Sequence, residues 1–202
     1  MRLTRLATGR NVLLSALAFV GVFAVMTVAV TAFYDATGAG ILNLNGARNA
    51  AAPRGGYTPD VAYTWLTAYG ADGRINHLLI LLLDVPLILS AVAFTALGLR
   101  YAAVRLGAPA RLRAAFTVVA VAGGVLNAVE DAGVATLLLS YPRRLDGLAS
   151  TVGTVGALKS GAYSLALLCT VVALSASAVW RRRQGTTAPT GDVEGRERVH
   201  AE

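Results

Sequence analysis

The stretch that decides the fold runs from Ile75 to Leu99, INHLLILLLDVPLILSAVAFTALGL, and is held between Arg74 and Arg100. Crossing the ~30 Å hydrocarbon core of a bilayer as a helix takes about 20 mostly apolar residues. This stretch meets that length. A helix is the form available to it, because no water reaches the core and the backbone must satisfy its own polar groups. Its ionisable interruptions are His77 and Asp84, the latter two residues before Pro86.

Three further runs share the pattern. Residues 11–34 carry no charge, 114–141 carry Glu130 and Asp131, and 158–180 carry only Lys159, at the start of the run. The spacing predicts an all-α polytopic membrane protein, a four-helix transmembrane bundle with spans 11–34, 75–99, 114–141 and 158–180. The composition agrees: 202 residues, 55% hydrophobic, 14% charged, mean hydropathy +0.60. Soluble domains carry roughly a quarter charged residues.

The formal net charge of +7 first suggests nucleic acid, but the positions of the charges favour topology. Arg2, Arg5 and Arg10 precede the first span, Arg100, Arg105, Arg111 and Arg113 fill the middle turn, and Arg181, Arg182 and Arg183 follow the last. The other side holds Arg48, Arg54, Arg74, Arg143, Arg144 and Lys159, spread over the loops 35–74 and 142–159. Basic residues packed against span ends mark the cytoplasmic side, so the expectation is a plasma (inner) membrane protein with both termini cytoplasmic. Nucleic-acid binding needs a contiguous basic face and is excluded as a reading. The first run is too long for a typical signal core and is expected to act as an uncleaved anchor.

Cys169 stands alone among Leu167, Leu168 and Val171, so paired-cysteine redox chemistry is excluded. The only histidines are His77 and His200, which excludes bis-histidine haem within the bundle. No cofactor is assigned.

Outside the spans, residues 1–10 form a basic start and 186–202 a polar tail expected to be disordered. Within the outer loop 35–74, Thr58-Pro59-Asp60 opens a helix: hydroxyl cap, proline in the first turn, acid near the positive end. Val61, Trp65, Leu66 and Tyr69 recur at helical spacing before Gly70. A short amphipathic helix over 59–69 follows, lying on the membrane surface with Trp65 and Tyr69 at headgroup level or packing on the end of the bundle.

Ionisable groups within spans cost about 2.5–3.5 kcal/mol each on insertion scales and turn toward the bundle interior. Counting 1.5 Å per residue from the Arg at each inner end puts Asp84 at roughly 24 Å and Glu130 and Asp131 at roughly 26 Å, one common level. His77 is two turns above Asp84 on the same face, and Asn127 shares a stripe with Glu130 and Asp131. Lys159 and Arg74 stand at the outer mouths of their spans. The pattern predicts a cluster of Asp84, Glu130, Asp131 and Lys159, candidates for acid–base work, with His77, Arg74, Asn127, Trp65 and Tyr69 as candidate ligand-binding residues, open to the outer face. Each also has a structural reading: Asp84 beside a proline kink, Asn127 as interhelical glue, Lys159 as an interfacial anchor.

The run Gly73-Arg74-x-x-His77, Leu83-Asp84-x-Pro86, Asn127-x-x-Glu130-Asp131 and a late Lys159 loosely resembles small bacterial four-helix integral membrane proteins of unassigned activity. That resemblance implies an architecture and no reaction. Three functions remain open: a site for a small, lipid-like molecule or cation, a structural or accessory subunit, or a proton- or cation-coupled transporter working as a homodimer. Partners in each case are the lipid bilayer and, for the first, a small-molecule or lipid ligand. Among hard divalent metals a carboxylate site including His77 is a variant of the first reading, though no metal ligand is assigned.

Overall fold

The computed structural model describes residues 5–42 and 57–186, with 181–186 described by backbone alone. The tail beyond 186, the start before residue 5 and the stretch 43–56 of the long loop lie outside the described residues. Among the described residues five helices carry the fold: α1 (Gly9–Thr37), α2 (Pro59–Ala68), α3 (Gly70–Arg105), α4 (Ala110–Ser140) and α5 (Asp146–Thr186). Four of them, all but α2, are long and apolar enough to cross a membrane, consistent with a multi-pass membrane protein.

The distribution of side chains fits that solvent. Leu13, Leu17, Val28, Leu82, Leu89, Val118, Leu139 and Leu168 point outward and are more than half exposed, while His77, Asp84, Asn127, Glu130, Lys159, Thr170 and Ser177 are buried. A domain folded for water does the reverse. Within hydrocarbon, lipid tails cover the leucines and polar groups find partners inside the bundle.

The helices run up and down, with α3 at the centre. α1 packs antiparallel along α3, as the pairs Phe19–Phe94 and Phe33–His77 show. α4 is antiparallel to α3, and α5 packs against both α3 and α4. α1 and α5 barely touch. One close approach is set by glycine: a Cβ on Gly124 would lie 2.6 Å from Val92 Cγ2, so α4 reaches α3 only because Gly124 has none.

α2 begins where its sequence says. Thr58 caps it, its hydroxyl accepting from the Val61 N–H, with Pro59 in the first turn. Of the two placements expected for it, packing against the other helices is the one seen. Ala62, Tyr63, Trp65 and Leu66 are buried on the end of the bundle, in one apolar cluster with Phe33, Leu81, Leu137 and Val152. Gly70, at φ 63°, turns the chain directly from α2 into α3. Arg144 ties α2 to the α4–α5 turn, reaching Asp60 at 2.7 Å and Asp146 at 3.0 Å.

The loop expected over 142–159 is shorter than its composition suggested. α5 starts at Asp146, so Lys159 is not at the start of its helix but some 20 Å along it, at 1.5 Å per residue.

Candidate functional site

Beneath the cap formed by α2, side chains from three helices make a connected polar chain. The Lys159 ammonium on α5 pairs with Glu130 Oε2 on α4 and donates to Asn127 Oδ1. The Asn127 amide donates to Asp84 Oδ2 on α3 at 3.0 Å, and Asp131 lies beside Asp84.

Helix geometry explains the division of labour between the adjacent acids. Neighbouring residues lie about 100° apart around an α-helix, so Glu130 and Asp131 meet different partners. Glu130 is fully buried against Lys159, and Asp131 is half-buried beside Asp84. Asn127, one turn from both, joins the halves. Tyr163, one turn after Lys159 on α5, lines the same cavity as Asp84, and its buried hydroxyl has no hydrogen-bond partner among the described residues.

Four of the expected site residues lie elsewhere. His77 is fully buried between Phe33 and Tyr69, with ring centroids at 5.5 and 5.4 Å. Arg74 donates to the Leu66 carbonyl at 3.2 Å and lies 4.4 Å over the Tyr141 ring. Trp65 and Tyr69 belong to the apolar cap, where the Tyr69 hydroxyl donates to the Gly40 carbonyl. Among the described residues no three His, Cys, Asp or Glu side chains are arranged to hold a metal ion.

On the side where the cluster was expected to open, the described residues place the apolar cap. Tyr57, buried and 6.0 Å from the Trp65 ring, covers it from the cap. Burial first, and the nearby Glu130 charge second, push the Tyr57 phenol above its ordinary value, so it is a neutral plug.

The opening is sideways. A cavity of about 250 Å³ runs from Asp84, Asn127 and Lys159 along the apolar faces of α3 and α5. Leu87, Ala91, Phe94 and Leu167 line its length, and Phe19 and Phe23 of α1 form the far wall. From Asp84 to Thr95 the lining of α3 extends roughly 16 Å at 1.5 Å per residue. Because α1 and α5 barely touch, the space between them faces whatever surrounds the bundle. A second cavity of about 200 Å³, between α3, α4 and α5, shares Ala91, Thr95 and Tyr163 with the first. Tyr163 is therefore a partition between two grooves.

The sequence reading found Asp84, Asn127, Glu130, Asp131 and Lys159 and missed Tyr163, together with the phenylalanines of α1. The signal for Tyr163 was its spacing of four from Lys159, which puts both on one helix face. No protein-family model, no curated protein and no solved structure matches the chain.

Proposed function

We propose that this protein binds a small amphipathic, lipid-like molecule that enters sideways from the bilayer. The molecule's apolar part lies between α1, α3 and α5, and its polar end meets Asp84, Asn127 and Lys159. The observation that carries this reading is the form of the cavity: a narrow apolar groove that ends on a buried polar chain. Ligand sites elsewhere combine a mostly apolar lining with a few placed polar groups in the same way. The Glu130–Lys159 pair, which joins α4 to α5, supports the structural reading for Glu130; Asp84, Asn127 and Lys159 line the groove.

A ten-carbon alcohol bearing a mid-chain diazirine tests this in phosphatidylcholine nanodiscs. Photolysis labels peptides containing Phe19, Phe23, Leu87 or Leu167. Leu167→Trp, which fills the groove from its exposed rim, lowers that labelling several-fold and leaves labelling of the outward face of α4 unchanged. Uniform labelling of all four helices, insensitive to Leu167→Trp, removes the proposal.

The same reading places the chain in the plasma (inner) membrane with both termini in the cytoplasm. Arg5, Arg10, Arg100, Arg105, Arg111 and Arg113 support it by their closeness to the span ends. A cysteine introduced near the described C-terminal end, at Arg183, is then protected from a membrane-impermeant maleimide in intact cells. One introduced at Arg144 in the α4–α5 turn reacts. The reverse pattern inverts the topology.

A further inference from the structure

We propose that Tyr163 selects what the lateral groove accepts: its ring walls the groove off from the second cavity, so that one unbranched chain enters and a molecule branched beside its head does not. This rests on the groove being a binding site and adds the shape of its occupant and the residue that imposes it.

The position of the ring carries the inference. Tyr163 lines both cavities, which also share Ala91 and Thr95, one turn apart on α3. From α5 the ring reaches across toward α4, where a Cβ on Gly123 would meet Tyr163 Cζ at 3.9 Å. The ring therefore spans the gap between the two helices.

The cavities open on opposite sides of α5. Phe19 and Phe23 place the first beside α1, whereas Val119 and Leu126, exposed on α4, line the second. The rest of the second is lined by small residues, among them Ala120, Gly123, Ala162 and Ala166. They leave room that the Tyr163 ring withholds from the first groove.

The place of the ring along the groove decides what is refused. Tyr163 lies one turn after Lys159 on the same face of α5 and lines the cavity with Asp84 and Asn127, so it stands beside the polar end. A straight chain leaves that end along Leu87, Phe94 and Leu167. A second arm starting next to the head has to pass where the ring stands.

Size points the same way. At about 250 and 200 Å³ each cavity falls below the usual range of ligand pockets, roughly 300–1,000 Å³, and joined they enter it. Selection by obstruction suits a site that opens on a bilayer, where two-chain lipids are the solvent and outnumber any ligand. Affinity for the right molecule needs a bar to the wrong one.

The experiment is competition for groove labelling by the diazirine-bearing alcohol, in phosphatidylcholine nanodiscs containing the full chain. The competitors are decanol and its isomer propylheptanol, branched at the carbon next to the head, each corrected for partition into protein-free nanodiscs. They share formula and head and differ in shape. Decanol displaces the label at a concentration about tenfold below its isomer, the scale of one overpacked contact.

Tyr163→Phe, which keeps the ring, keeps that preference. Tyr163→Ala and Tyr163→Leu, which remove it, bring the two isomers to near equality and extend displaceable labelling to peptides containing Ala120 and Gly123. Tyr163→Leu, which keeps the position apolar and filled, is read if Tyr163→Ala does not fold.

Equal competition by the isomers on the unaltered protein, with labelling still confined to the groove, overturns the selection and leaves the binding site standing. So does a preference that survives removal of the ring, or one that is lost in Tyr163→Phe. Absence of groove labelling overturns both.

Discussion

Replacing Lys159 by Met lowers the free energy of unfolding by about 3–5 kcal/mol, the cost of leaving one charge of a buried pair without its partner. Met keeps much of the length and volume of the lysine stem, so the loss reports the missing ammonium. Glu130 is fully buried and has no water to turn to. The loss appears as a lower thermal midpoint in nanodiscs and a smaller folded yield.

The double variant Lys159→Met, Glu130→Met recovers most of the loss, because removing both members of a buried pair is often neutral or better. Asn127 keeps its bond to Asp84 at 3.0 Å and loses only the donor from Lys159, so the recovery falls short of complete. A single variant that melts with the wild type would show that Glu130 does not depend on Lys159. A double variant no better than the single would show that the acid was never the source of the loss.

The second large effect is expected at Gly153. A Cβ there would stand 2.4 Å from the Tyr57 carbonyl oxygen, and a backbone atom cannot rotate away as a side chain does. Gly153→Ala therefore pushes residue 57 off α5, an overpacking cost of about 1–3 kcal/mol. That exceeds the roughly 1 kcal/mol that alanine gains over glycine within a helix.

Tyr57 is the plug over Glu130, so the substitution also loosens the cap. Amide exchange rises across residues 57–66 while the middle of α4 is unaffected. Gly161→Ala is the control: nothing stands within 4 Å of its Cβ position, and the thermal midpoint holds or rises. Unchanged exchange in the cap of Gly153→Ala would mean that Tyr57 is not seated against α5.

Much of this architecture was legible because hydrocarbon is a demanding solvent. Charge-free runs long enough to cross it stand out, and so did the four helices long and apolar enough to do so. The start of α2 was legible for a local reason, since Thr58, Pro59 and Asp60 each favour a helix entrance by their own chemistry. The start of α5 was not. Asp146 to Ala157 is rich in Gly, Ser and Thr, a composition that resembles loop, yet these small residues let α5 approach Tyr57 and α4. A Cβ on Gly133 of α4 would lie 2.4 Å from Val152 Cγ2, and such contacts are tertiary facts that no single helix announces.

The site divides along the same line. Asp84, Asn127, Glu130, Asp131 and Lys159 were found because ionisable or amide groups in a span need one another. His77 was misplaced although its face was assigned correctly. One stripe of α3 meets different neighbours along its length: Phe33 and Tyr69 near the cap, then Asn127 two turns further in. Periodicity gives the direction of a side chain and cannot give the partner waiting there.

The position of Lys159 on the final helix also orders the birth of the molecule. Synthesis runs from N- to C-terminus, so Asp84, Glu130 and Asp131 are delivered to the membrane on α3 and α4 before their counter-charge exists. A chain interrupted ahead of α5 holds three carboxyls among apolar helices with no ammonium to meet Glu130. Arrival of α5 gives Glu130 its partner and joins α3, α4 and α5 in one stroke. The cluster thus depends on synthesis having passed Lys159, and a chain stopped before α5 holds Glu130 without its partner.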